Sequence, residues 1–270
     1  MNKNKFEKHF DFGLNWKKYS SLIDSARVDE AKKNLVEFLG SENIKGKNIL
    51  DIGCGSGLHS LAFLELGAKS VTAFDIDLNS VETSINLLEK YSKLDNSNVY
   101  QSDILLAKNN DDLYDVVYSW GVLHHTGNLE LAITNAANYV KENGYLFIAI
   151  YKKTKLCKLW QKEKRFYSTT SNINQRLIRI IYITLFGFSY TLFKRKSFRY
   201  YIKNYQKNRG MSFFHDAHDW LGGFPYESAS PKEISQLLTR LNFSLVKEVS
   251  TRAGIGFFGS GCNEYVFKRC

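Results

Sequence analysis

Proline is nearly missing from this chain: its 270 residues hold two, Pro225 and Pro231. A sequence so poor in proline is neither collagen-like nor a Pro-rich spacer. Cysteine is sparse too. Cys54, Cys157, Cys262 and Cys270 form no CxxC pair and no zinc-ligand spacing, so they read as reduced thiols of a reducing compartment. The N-terminal MNKNKFEKHFDFG is basic with no apolar stretch behind it, and no secretory signal is expected from it. No apolar run reaches the roughly 20 residues of a membrane span. The longest, Ile180 to Phe193, has 14. An aromatic content of 14% argues against general disorder. The length suits one large domain with an insertion, or two small ones.

Charge is present but unevenly placed. The whole chain carries +10. Residues 152–209 hold 16 Lys and Arg against Glu163 as the one acid, so that stretch alone carries +15 and the remainder −5. The basic character belongs to one segment.

Hydrophobic periodicity predicts a helix over Asp24–Gly40, with Ala26, Ala31, Leu35 and Leu39 near one face. A buried strand, Asn48–Ile52, runs into Gly53-Cys54-Gly55-Ser56-Gly57, followed by a helix from Leu58 to Leu66. Ser70–Phe74 reads as a second strand ending at Asp75, and Asn79 with Glu82 as the capping box of a helix over 80–92. Asn98–Gln101 leads to Asp103, and Tyr114–Ser119 is a fourth strand. Leu129–Val140 reads as a helix stopped by Gly144, then Tyr145–Tyr151 as a fifth strand. Short apolar strands alternating with helices imply a parallel sheet covered on both faces. From Lys152 to about residue 229 the pattern is basic, aromatic and irregular. It resumes at Pro231 with a helix carrying Ile234, Leu237, Leu238 and Leu241, then strands Ser244–Val249 and Asn263–Lys268. The expected organisation is an N-terminal helical cap over 1–46, an α/β domain over 47–151 and 230–270, and an inserted lid over 152–229.

A glycine turn between strand and helix lets a ligand approach the backbone. A phosphate-binding P-loop does not fit: Gly40, Gly46 and Lys47 have the wrong spacing and precede the strand. The dinucleotide fingerprint is GxGxxG, whereas this loop is GxGxG, and Asp51 just before it would repel a pyrophosphate. A cofactor with an amino group and no phosphate fits better. Asp51 then helps bind a cation, Asp75 takes the hydroxyls of a ribose, and Asp103 accepts from an adenine amino group. All three fall at the C-terminal ends of strands, where open α/β sheets bind ligands.

The segments ILDIGCGSGLHSLAFLELGA, VTAFDID, QSDILL and YDVVYSWGVLHHTG resemble the successive motifs of class I S-adenosylmethionine-dependent methyltransferases. The resemblance covers 47–151 and, as the closing edge, 230–270. It implies a Rossmann-like, seven-stranded, mostly parallel sheet with one antiparallel strand, and S-adenosyl-L-methionine as cofactor. It also implies Gly53, Gly55 and Gly57 at the methionine end, Asp75 at the ribose and Asp103 by the adenine. Asp51, Ile76, Ser119 and Trp120 complete the cofactor-binding candidates. FDFGLNWKKYS near the start, and GMSFFHDAHDWLGGFPYE with GCNEYVFKR later, look like a bacterial subgroup likened to quinol O-methyltransferases.

Enzymes that methylate base amines or amides carry Asn/Asp-Pro-Pro-Tyr after the fourth strand; here the positions read Ser119-Trp120-Gly121-Val122. Methylation at base C5 needs a cysteine beside proline, and none is so placed. Leu123-His124-His125-Thr126-Gly127 resembles the place where quinol O-methyltransferases carry a Glu-His pair. His125 and His124 are therefore the catalytic candidates, His125 preferred, with core packing or helix capping as the plain alternative. A histidine there can take a hydroxyl proton. Trp16, Tyr19, His215, Trp220 and Tyr226 are candidates for the acceptor side, with core packing again the alternative. His215, Asp216, His218 and Asp219 are read as one exposed face of a short helix, and no metal is assigned. Three readings of the basic segment around Lys194-Arg195-Lys196 stay open: a plain lid, a lid resting on an anionic membrane, or an RNA footprint. The expected function is methyl transfer to a small hydroxyl-bearing or aromatic acceptor, quinol-like or lipophilic ones included. The expected setting is the cytoplasm, or the inner face of a membrane. An RNA methyltransferase and a non-catalytic S-adenosylmethionine-binding module remain alternatives.

Overall fold

Strand β1 (Asn48–Ile52) shows what the sheet is built on. Ile49, Leu50 and Ile52 are almost wholly buried, as a strand covered on both faces requires. The computed structural model describes residues 13–106, 112–209, 213–250 and 256–270. Six more strands join β1: β2 (Ser70–Asp75), β3 (Ser97–Gln101), β4 (Tyr114–Trp120), β5 (Val140–Tyr151), β6 (Phe243–Val249) and β7 (Cys262–Arg269). Their order is β3-β2-β1-β4-β5-β7-β6. The first five run parallel. β7 is antiparallel to both neighbours, from Tyr145 opposite Lys268 to Tyr151 opposite Cys262 on β5. The order reverses between β1 and β4, and the crevice beyond their C-terminal ends is where such sheets take ligands.

The helices are α1 (Gly13–Ser20), α2 (Ser25–Leu39), α3 (Leu58–Glu65), α4 (Leu78–Lys90), α5 (Leu129–Asn138), α6 (Cys157–Thr169), α7 (Asn172–Lys194), α8 (Phe198–Arg209), α9 (Phe213–Gly222) and α10 (Pro231–Arg240). Alternate strand residues feed two cores. Ile49, Val71, Val116 and Phe147 meet Leu35 of α2, Leu61 of α3 and Leu88 of α4. Leu50, Val117 and Ile148 meet Ile133 of α5 and Leu238 of α10. Local chemistry sets the helix ends. The Asp24 carboxylate accepts from Arg27 N–H at the start of α2 (3.0 Å), and Gly40 ends it at φ +79°. Ser230 and Glu233 form a reciprocal capping box with Pro231 in the first turn of α10.

The structure corrects four expectations. Gly144 does not stop a helix; it lies inside β5, where the register with β4 shifts. A Cβ there would come within 2.9 Å of the carbonyl oxygens of Asp115 and Lys141, so glycine permits a close backbone approach at the irregularity. Asp77, not Asn79, caps α4, accepting from Asn79 N–H at 2.8 Å. The stretch expected to be irregular after Lys152 holds α6 to α9. Its periodicity is carried by rings: Phe186 of α7 lies 5.1 Å from Phe213 and 5.2 Å from Phe258, centre to centre. Finally, the 14-residue apolar run sits in α7, a helix of 23 residues. Both ends of this excursion meet beside the sheet, where Ala229 N–H donates to Tyr151 O (3.1 Å) and Lys153 N–H to Ala229 O (3.2 Å).

Candidate active site

The loop after β1 turns on three glycines in the left-handed region: Gly53 (φ +75°), Gly55 (+53°) and Gly57 (+79°). Each also has a close neighbour. A Cβ on Gly53 would meet Val122 at 2.5 Å, and one on Gly57 would meet the Ser84 backbone at 2.9 Å. A Cβ on Gly55 would fall 3.1 Å from the indole of Trp16, so α1 brings Trp16 over the loop. Tyr19 packs edge-on to Trp16, 5.9 Å between rings. Gly13 N–H donates to Asp77 Oδ2 (2.9 Å) and ties the start of α1 to the cap of α4.

Two carboxylates stand behind this loop. Asp51 is buried and accepts from Ser60 Oγ–H at 2.6 Å; burial pushes its carboxyl up to about 7. Asp75 accepts from Gly55 N–H and from Asp77 N–H, both at 3.0 Å, and burial pushes it up to about 6. Both are held in protein surroundings that disfavour a negative charge. A ligand bringing an ammonium or hydroxyl donors would relieve that. The glycine cradle and the carboxylates therefore fit the methionyl and ribose ends of S-adenosylmethionine. Ile76, next to Asp75, exposes an apolar side chain at the crevice edge. Asp103 accepts from Leu105 N–H (2.8 Å) and starts the 3-10 turn after β3. Ser119 is buried, its hydroxyl donating to Ile52 O (3.0 Å), so it joins the ends of β4 and β1. Trp120 is exposed at the end of β4 and donates from Nε1 to Glu264 (2.9 Å).

Val122, which packs against Gly53 of the glycine loop, carries the chain from β4 into a 3-10 turn, Leu123–His125. The two histidines of that turn part company. His124 is fully buried: its ring lies 3.7 Å from that of Tyr151, and its Nδ1 accepts from Tyr151 N–H (3.3 Å). Burial holds its proton affinity well below the ordinary range, and the nearby His125 and Lys164 depress it further. His124 is thus packed behind His125, 4.5 Å between ring centres, and away from solvent. His125 is half-buried, with Nδ1 2.8 Å from the carbonyl of Pro225. A carbonyl only accepts, so Nδ1 carries the proton and Nε2 keeps the ring's lone pair. The ring edge rests on Gly223, where a Cβ would meet His125 Cε1 at 2.7 Å.

The turn after α9 is thus fastened to the β4–α5 connection. Glu227 N–H donates to His124 O (2.9 Å), and the Glu227 carboxylate accepts from Leu129 N–H at the start of α5 (2.8 Å). Trp220 stands edge-on to Tyr151 at 5.4 Å. Tyr226 is buried, its hydroxyl donating to Ser260 Oγ (3.3 Å). Asp216, His218 and Asp219 do not form an exposed polar face: all three are partly buried, Asp216 accepts from the Tyr205 hydroxyl, and His218 Nδ1 lies 2.7 Å from the Tyr167 hydroxyl. The side chain of His215 lies outside the described residues.

Sequence reading missed Val122, Tyr151 and above all Lys164. Lys164 Nζ is fully buried, 3.6 Å from the centre of the Trp220 ring and 5.3 Å from that of Tyr226, with Trp160 at 6.0 Å. Burial pushes this ammonium's proton affinity down and the neighbouring Glu163 carboxyl's up. The i, i+4 placement of Trp160 and Lys164 was the one available signal.

A family profile described as a methyltransferase domain matches residues 25–248. The ubiquinone biosynthesis O-methyltransferase of Rickettsia prowazekii is 31% identical over 57% of this chain and 62% of its own length. The ribosomal protein L11 methyltransferase of Tolumonas auensis is 37% identical over 27% of this chain and 28% of its own. The match therefore spans less than two thirds of these curated relatives. Among solved structures, the magnesium protoporphyrin IX methyltransferase of Synechocystis PCC 6803 with bound S-adenosylhomocysteine has a TM-score of 0.53 at 16% identity. It covers 100% of this chain and 90% of that one. The N-methyltransferase NodS of Bradyrhizobium japonicum aligns over 96% of this chain and 98% of its own, with a TM-score of 0.56 at 13% identity. Likeness at these identities establishes the shared fold.

Proposed function

This chain belongs to the methyltransferase-domain family of class I, S-adenosylmethionine-dependent enzymes, and from that premise we propose that it methylates a hydroxyl of a small aromatic acceptor with His125 as the base. When bound, S-adenosylmethionine supplies an electrophilic methyl on a sulfonium. Gly53, Gly55 and Gly57 leave room for it, Asp75 accepts from its hydroxyls, and Asp51 offsets its ammonium. The acceptor oxygen would take that methyl, leaving a thioether, and His125 Nε2 would accept the hydroxyl proton. Tyr151 and Trp220 offer ring faces and edges to a flat acceptor and exclude water. Most of the acceleration comes from holding the two reactants in line.

One observation carries the reading: the bond from His125 Nδ1–H to Pro225 O, which fixes the tautomer with its lone pair on Nε2. The likeness to ubiquinone biosynthesis O-methyltransferases supports a phenolic acceptor. The test is to incubate the protein with methyl-labelled donor and fractionated cell extract. Label in small hydroxyl-bearing aromatics, lost in His125→Ala, is expected. Label confined to RNA or protein would overturn the acceptor class.

A further inference from the structure

Helix α7 is apolar on two opposite faces, which a helix of a soluble domain has no reason to be. Its inner face carries Tyr182, Phe186 and Tyr190. Tyr182 donates its hydroxyl to Phe258 O (2.8 Å), and Phe186 packs on Phe213 and Phe258. Its outer face carries Ile173, Leu177, Ile180, Ile181, Leu185, Phe188 and Leu192, each at least 50% exposed. These positions recur at i, i+3, i+4 and form one uncharged stripe roughly 29 Å long by helix rise. α7 is the one helix among the described residues long and apolar enough to cross a membrane, and 6% of its apolar window is buried. Its inner face is taken up by aromatic packing, so it is held along the domain and not free to span.

The surroundings of the stripe are basic. Lys194, Arg195, Lys196, Arg199 and Lys203 are exposed at and beyond its C-terminal end. On α6, Leu159 and Phe166 are exposed beside Lys158, Lys162 and Arg165, with Lys155 just before the helix. Residues 164–215 contain no acid. A second copy of this chain would bring its own +15 segment against the same charges, so self-pairing through this face is opposed. RNA phosphates would meet the lysines but leave the aliphatic stripe in water.

We infer that α7 is a membrane-docking helix that lies in the interface of an anionic bilayer, its outer stripe among the acyl chains and its basic flanks on lipid phosphates. The chemistry is that of an interfacial amphipathic helix: apolar burial and charge attraction add, and both are needed for stable attachment. The inference does not depend on the acceptor, because it concerns a face turned away from the domain's own packing.

The test is flotation of the full chain with phosphatidylcholine vesicles, with and without phosphatidylglycerol. Binding to the anionic vesicles, weakened by salt, is expected. Lys194→Ser, Arg195→Ser and Lys196→Ser should each weaken it by about fivefold. Leu185→Glu with Phe188→Glu should weaken it by about tenfold or more. All these side chains are exposed, and unchanged circular dichroism and donor binding would show that the variants fold. Three outcomes would overturn the inference. One is no flotation with anionic vesicles. The second is flotation indifferent to the stripe variant. The third is a concentration-dependent dimer that the stripe variant abolishes while vesicles bind nothing.

Discussion

The proposed donor side and the proposed acceptor side of this crevice are made in different ways. The donor side is backbone: three glycines in one five-residue loop, plus carboxylates one strand apart, all at strand ends. The acceptor side is side chains: His125, Tyr151, Trp220 and Tyr226 come from four separate elements and meet through ring contacts and the turn at Gly223–Glu227. A backbone cradle has little latitude for change, because it depends on left-handed φ values that most residues avoid. A wall of side chains can be altered ring by ring. The two sides should therefore fail differently.

Gly53→Val attacks the donor side most directly, combining strain at φ +75° with an overlap on Val122. Calorimetry should show donor affinity falling about 100-fold or more, given costs of ~1–3 kcal/mol for each effect. Donor affinity that survives would break the contrast. On the other side, His125→Ala should lower kcat about 100-fold while donor affinity holds. A variant that instead loses donor binding would show the two sides to be one unit.

The carboxylates give an effect of similar size with a definite sign. Asp51 and Asp75 have folded values of about 7 and about 6, above their ordinary range. Their stabilising contribution in the donor-free protein is complete below about pH 4 and is lost as pH rises through 6 to 7. A donor that favours the ionised carboxylates should thus raise Tm more at pH 8 than at pH 5. Asp51→Asn should flatten that difference, which is worth of order 2–4 kcal/mol for this one group. A donor-induced Tm shift independent of pH would argue that Asp51 meets no cation. Lys164→Met should change least. It removes a cation–π contact and also a desolvated ammonium, so scanning calorimetry should find Tm nearly unchanged or slightly raised. A large drop would show that the acceptor wall is as intolerant as the glycine loop.

The same contrast governs what could be read from the sequence. That Asp51, Gly53, Gly55, Gly57 and Asp75 stand together at strand ends was legible because their setting is local: loop, strand end and spacing suffice. The seven-stranded sheet was legible for a similar reason, since apolar strands alternate with helices. The segment from Lys152 to Ser228 was not, because its helices pack inward through rings on one another, while the aliphatic stripe of α7 faces outward. Lys164 reads as one more surface lysine until Trp160 and Trp220, 60 residues of chain apart, are seen around it. Gly144 misled because glycine serves equally as a helix stop and as a point of close strand approach. The distinction between His124 and His125 needed Pro225, a partner 100 positions away.

Tyr151 to Lys153 and Ala229 are zipped together, so everything between them leaves and re-enters the domain through one doorway. Strand register on either side owes nothing to the length or sequence of the excursion. Such a joint would let the excursion be exchanged as one unit while the strands that carry the glycine loop and its carboxylates stay as they are. Closely placed ends are also what domain grafting requires. The molecule is in that sense a socket with an interchangeable head.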